Sequence, residues 1–179
     1  MVPFFVSVPH SGEEVPPEAV WLEGLPEPKL MCDVDRFVDQ LYRPGALKLS
    51  VPMIVARWHR YVVDLNRLPA DVDASTVAGN TNPAGRFNRG FHWQMTTTRE
   101  VLMPKPISQE MHREFVTKYF EPFHRDVQAK YDEFKKQGAM SVYHIDAHSM
   151  PSEMTGTRPC SCARCSALAR RSLLCQMPM

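Results

Sequence analysis

The sequence predicts an α/β fold, a three-layer α/β/α sandwich around a mixed sheet, and three observations lead there. Two short runs of β-formers lie near opposite ends of the chain, Phe4-Phe5-Val6-Ser7-Val8 and Ser141-Val142-Tyr143-His144-Ile145. Each runs directly into a polar string, Pro9-His10-Ser11-Gly12 after the first and Asp146-Ala147-His148-Ser149-Met150 after the second. Segments with apolar residues at helical spacing separate them. Strands alternating with helices make layered sheets, and such proteins place their chemistry where strands end and loops begin.

The first strand is Phe4 to Val8, and Gly12 permits a sharp turn after it. A loop carrying Pro16, Pro17, Pro26 and Pro28 leads to a predicted helix with Leu30, Val34, Phe37 and Leu41 on one stripe, ended by Pro44 and Gly45. Asp35 and Asp39 would lie one turn apart on its flank. Two further β-rich runs follow, Val51 to Ala56 and Tyr61 to Leu65, with Arg57, His59 and Arg60 between them and Asn66 and Arg67 just beyond. From Pro69 to Arg89 the chain is rich in Asp, Asn, Gly, Thr and Pro, the composition of a long loop and a candidate lid. Ser108 is placed to cap a long helix bearing Met111, Phe115, Tyr119, Phe123, Val127, Tyr131 and Phe134, kinked at Pro122 and closed by Gly138.

With 179 residues, of which 44% are hydrophobic, the chain is long enough for one domain with a core and too short for two ordinary ones. A net charge of +1 supplies no global field for nucleic acid or acidic membranes. The absence of a secretory leader and of any apolar run of membrane-spanning length predicts a soluble cytoplasmic protein, with no nucleic-acid or membrane partner. Cys32 stands apart from Cys160, Cys162, Cys165 and Cys175, so no framework of spaced disulfides crosses the fold. The sequence does not speak to oligomeric state.

Two imidazoles at the ends of neighbouring strands can share one metal ion, so His10 and His148 are candidate zinc ligands. A hydrolytic zinc takes a third ligand, and Glu13, Glu14, Asp35 and Asp146 are the nearby carboxylates. Arg57, Arg60 and Arg67 could grip a substrate carboxylate through the guanidinium fork, or simply pair with Asp64 and its neighbours.

The strings Val8 to Gly12, Asp35 to Tyr42, Arg60 to Arg67, Pro122-Phe123-His124 and Asp146 to Ser152 together resemble the N-formylglutamate amidohydrolase (deformylase) family. The resemblance implies an α/β/α fold of the phosphorylase/hydrolase type, distantly similar to zinc carboxypeptidases. It implies zinc-dependent hydrolysis of N-formyl-L-glutamate, a step of histidine degradation, or of a related N-acyl amino acid, with Zn2+ as cofactor. Carried onto this chain, it implies His10, His148 and Asp35 as metal ligands, with Glu13 as the alternative carboxylate. Arg60 would stabilise the developing oxyanion, Asn66 and Arg67 would hold the substrate's carboxylate, with Arg57 as a further candidate, and Asp146 would orient the site.

The resemblance stops near Ser152, and from Thr155 onward the chain holds no acidic residue and four of its five cysteines. The expected organisation is therefore an incomplete amidohydrolase-like domain over 1–154 and an atypical tail over 155–179. Members of the family bring their general base from a segment with no match here. Two further outcomes follow: a truncated, weakly active protein that keeps metal or carboxylate binding, or a zinc peptidase or amidase for another carboxylate-bearing substrate.

Overall fold

The computed structural model describes residues 3–150. The expected tail, with Cys160, Cys162, Cys165 and Cys175, lies outside the described residues. Three strands form one sheet in the order β2-β1-β3, with β1 Phe4–Val8, β2 Met53–Val55 and β3 Tyr143–Asp146. Both pairings are parallel, so the sheet expected to be mixed is a parallel one among the described residues.

Strand order decides where the helices go. From β1 the chain moves to β2 on one side, then returns past β1 to β3 on the other, and right-handed crossovers in opposite directions put their helices on opposite faces. The first crossover carries α1 Glu27–Leu30 and α2 Val38–Leu49, and Val38 packs with Val6, Val8 and Ala147 on one face. The second carries α3 Gln109–Phe115 and α4 Glu121–Lys136. Phe115 and Phe123 join Tyr61, Val62, Val63, Phe91 and Leu102 in the larger core. This is the α/β/α layering expected.

Several elements differ from expectation, each for a local reason. The stripe from Leu30 to Leu41 does not make one helix: α1 ends at Leu30, Asp35 lies in the connecting turn, and Phe37 enters α2 in the left-handed region at φ 67°. Pro44 lies inside α2 rather than ending it, between buried Val38 and Ala46. The run Tyr61 to Leu65 is buried but forms no strand, and a short buried run carries no period that separates a strand from packed irregular chain. Residues 69–89 are not a loose lid: Val72, Asp73, Thr76 and Val77 are buried, and Val77 bridges Ile107.

The long helix came out nearly as read. Ser108 caps it, its Oγ accepting from Met111 N at 3.1 Å. Pro122 can give no backbone hydrogen bond, and the chain adapts through a π-helical turn at Val116–Phe120 just before α4. Gly138, at φ 87°, then closes the helix.

Candidate metal centre

His10 and His148 each lie two residues beyond the carboxyl end of a strand, and β1 and β3 are hydrogen-bonded neighbours. Parallel pairing therefore brings the two rings to the same end of the sheet. Gly12 holds the first loop against the next, since a Cβ there would meet Trp58 O at 2.5 Å. Glu14 and Trp58 bridge just beyond it. Asp35 is fixed by its own backbone, its N–H donating to His10 O at 2.9 Å.

These constraints converge on three atoms. His10 Nδ1 lies 3.2 Å from His148 Nδ1, His148 Nδ1 lies 2.9 Å from Asp35 Oδ2, and His10 Nδ1 lies 3.7 Å from the same oxygen. The far nitrogens identify the protons. His10 Nε2–H donates to Asp64 Oδ1 at 2.9 Å, and His148 Nε2–H donates to Asp146 Oδ2 at 2.9 Å. With those protons placed, both Nδ1 atoms turn lone pairs toward each other and toward a carboxylate oxygen. Such a triangle is repulsive unless a cation or a proton occupies it.

The electrostatics point the same way when a proton takes that place on Nδ1. Burial pushes the Asp35 carboxyl up, but hydrogen bonds from His10 and His148 outweigh it and hold the group well below the usual carboxylate range. Burial alone would lower His148, yet Asp146 and Asp35 raise it to about 9. The triangle thus attracts positive charge. Donors bound to a common zinc at about 2.0–2.1 Å lie roughly 3.3 Å apart, so the residues present fit such an ion.

The two histidines stand in different surroundings. His10 is 3% exposed and leans on Asp64, a carboxylate buried to 0% exposure. Asp64 also accepts from Arg60 Nη2 and Trp93 Nε1, each at 2.9 Å, and from Asn66 N at 3.0 Å. Four donors keep it ionised: burial pushes its pKa up, and His10 and Arg60 hold it well below the usual range. The His148 side chain is 34% exposed and that of Asp146 40%. Asn66 Nδ2 donates to Asp146 Oδ2 at 2.7 Å.

The other residues singled out in the sequence divide. Asn66 and Arg67 are exposed, and Asn66 lies beside His148, its Nδ2 3.0 Å from Nε2. The Arg60 fork is held by protein groups, Asp64 on Nη2 and Asp33 O at 2.9 Å on Nη1, while the guanidinium lies over Trp93 at 4.5 Å. Arg57 pairs with Glu14 at 2.8 Å and covers Trp58. Glu13 pairs with Arg36 at 3.0 Å and does not join the triangle. Sequence reasoning offered Asp64 only as a partner for the arginines, which Arg60 bears out, and missed its hold on His10 and the part of Trp93. The available signal was an acid inside an apolar run, which must find donors once buried.

A profile of the N-formylglutamate amidohydrolase family matches residues 2–172. The chain belongs to that family. Similar curated proteins are the N-formylglutamate deformylases of Pseudomonas putida, 28% identical, and Pseudomonas aeruginosa, 29% identical, each over 153 residues. The match covers 86% of this chain and 54% of each relative, so the chain spans about half the length of the amidohydrolases it resembles. Among solved structures, N-formylglutamate amidohydrolase from Ralstonia eutropha JMP134 superimposes with a TM-score of 0.71 at 20% identity, over 99% of this chain and 60% of that one. A gene product of Agrobacterium tumefaciens superimposes with a TM-score of 0.67 at 17% identity, over 88% and 56%. Both likenesses show that the chain shares the fold of these structures.

Proposed function

We propose that the chain carries the metal centre of a zinc-dependent amidohydrolase acting on N-formyl-L-glutamate or a close N-acyl amino acid, in cytoplasmic histidine degradation. One observation carries the reading: two histidine Nδ1 atoms and Asp35 Oδ2 converge within 2.9–3.7 Å, each histidine backed by its own carboxylate. The names of the similar curated proteins support the substrate class.

His10, Asp35 and His148 would hold the ion, with Asp35 preferred to Glu13 because Glu13 is engaged by Arg36. Zinc bound there would acidify water and polarise the scissile carbonyl. Asp64 and Asp146 keep each imidazole in the Nε2–H tautomer, leaving Nδ1 free to ligate. Arg60 serves chiefly by holding Asp64, and an oxyanion role would require its Nη groups to leave Asp64 and Asp33. Asn66, beside His148, and the exposed Arg67 that follows it would receive the substrate carboxylate, whereas Arg57 is occupied by Glu14. Among the described residues the carboxylates adjoining the triangle are Asp35, Asp64 and Asp146; Glu13 and Glu14 are both paired with arginines. Neither glutamate, as placed, supplies a base for the hydrolytic water.

The test is formate release from N-formyl-L-glutamate by the purified chain with one equivalent of zinc. The reading expects zinc uptake, measurable if slow formate release, and a KM raised about tenfold or more in Arg67→Ala. A zinc-loaded chain that hydrolyses neither this nor any other N-acyl amino acid would contradict the activity. Unchanged KM in Arg67→Ala would remove that residue from the pocket.

A further inference from the structure

β1 is apolar except at Ser7, a residue only 2% exposed among Phe5, Val6 and Val8. A hydroxyl buried so completely must find partners. Parallel register supplies them, since Phe5 lies opposite His144 and Ser7 opposite Asp146. Alternate residues share a face, so His144 and Asp146 flank the hydroxyl from the same side of β3.

The contacts form a row. Tyr131 Oη on α4 is 3.0 Å from His144 Nδ1, His144 Nε2 is 2.8 Å from Ser7 Oγ, and Ser7 Oγ is 2.6 Å from Asp146 Oδ1. One arrangement of protons satisfies every link: Tyr131 O–H donates to His144 Nδ1, His144 Nε2–H donates to Ser7 Oγ, and Ser7 O–H donates to Asp146. The other oxygen of Asp146 takes His148 Nε2–H. Phe5 pins the middle of the row, stacking on His144 at 4.3 Å and 13° and meeting Tyr131 edge-on at 5.0 Å.

We propose that Ser7, His144 and Tyr131 are positioning residues that fix the Asp146 carboxylate and, through it, aim His148 Nδ1 into the metal triangle. The inference rests on the metal site proposed above. An aspartate as open as Asp146 could turn toward water and release its histidine. Locking Oδ1 from inside the sheet leaves only Oδ2 facing His148, and so orders the less buried ligand before any ion arrives. Satisfying one buried hydroxyl needs only one partner; a row running from a helix through two strands to a ligand does more than that.

The experiment compares zinc affinity, by competition with a chromogenic chelator, and the visible spectrum of the cobalt(II)-loaded chain. Wild type is set beside Ser7→Ala, His144→Phe, His144→Gln and, as a control at a buried residue that is not a member of the row, Phe134→Leu. Removing partners that hold a metal ligand in place costs roughly tenfold or more in affinity, so Ser7→Ala and His144→Phe should each lose about tenfold and shift the cobalt bands. His144→Gln keeps an N–H donor for Ser7 and should recover most of that loss. Phe134→Leu should lower the melting temperature and leave affinity unchanged. Wild-type affinity in both Ser7→Ala and His144→Phe would overturn the inference, as would a loss in Phe134→Leu that simply follows stability. A wild-type chain that takes up no zinc would overturn the metal site and this inference together, whereas unchanged variants beside a zinc-binding wild type overturn this inference alone.

Discussion

The two halves of the triangle are built by opposite means. The His10 half is sealed: its carboxylate, Asp64, is closed off from water and accepts four hydrogen bonds, one from the charged fork of Arg60. The His148 half is open, and its carboxylate is steadied by Ser7 behind and Asn66 in front. A sealed half is part of the folding core, so damage there costs stability as well as chemistry. An open half can be altered at little cost to the fold, which is where a substrate must enter.

The largest effect should come from the sealed half. Asp64→Ala leaves Arg60 buried without its carboxylate and His10 without its acceptor, and removing one partner of a buried pair costs about 3–5 kcal/mol. Chemical denaturation checks the value. A loss below about 1 kcal/mol would show that Asp64 is not structurally sealed.

Acid should strike the same region next. Burial lowers His59 to about 4 and His92 to about 3. His59 uses both nitrogens while neutral, Nε2–H donating to Leu30 O and Nδ1 accepting from Tyr61 N. His92 likewise donates from Nδ1 to Val62 O and faces His112 through Nε2. Both are depressed relative to the unfolded chain, so below about pH 6.5 the unfolded state binds more protons than the folded one. Stability is therefore full above that pH and falls as pH drops toward 4, by about 1.4 kcal/mol per unit for each histidine. His92→Asn should remove about one proton's share of that slope, and a slope identical to wild type would contradict the assignment.

The open half should give the smallest change in stability. His148→Ala should abolish zinc binding while lowering the metal-free stability by clearly less than Asp64→Ala does, since its side chain is partly open to water. A loss as large as that of Asp64→Ala would erase the distinction between the halves.

The same contrast explains what the sequence could reveal. His10 and His148 were legible because each stands in a short polar string just past a strand, where side-chain type and spacing carry the signal, whereas Asp35 was singled out among four nearby carboxylates only by the family resemblance. The strands β1 and β3 and the capped, Pro122-adapted helix were legible for the same local reasons. The contacts of Asp64 with His10 and with Trp93 were not, because they join residues 54 and 29 apart in the chain, which no local period encodes. Tyr61 to Leu65 misled because burial without a sheet partner produces the same composition as a strand. Asp35 was assigned to a helix flank and found in a turn, yet remained at the site because its N–H is tied to His10 O.

The most direct test of the triangle is zinc content and affinity in wild type, the His10→Ala and His148→Ala double variant, Asp35→Ala and Glu13→Ala. The account predicts about one zinc per chain in wild type and in Glu13→Ala, none in the double variant, and strongly weakened binding in Asp35→Ala. Equal zinc in wild type and the double variant, or zinc kept by Asp35→Ala and lost by Glu13→Ala, would contradict it.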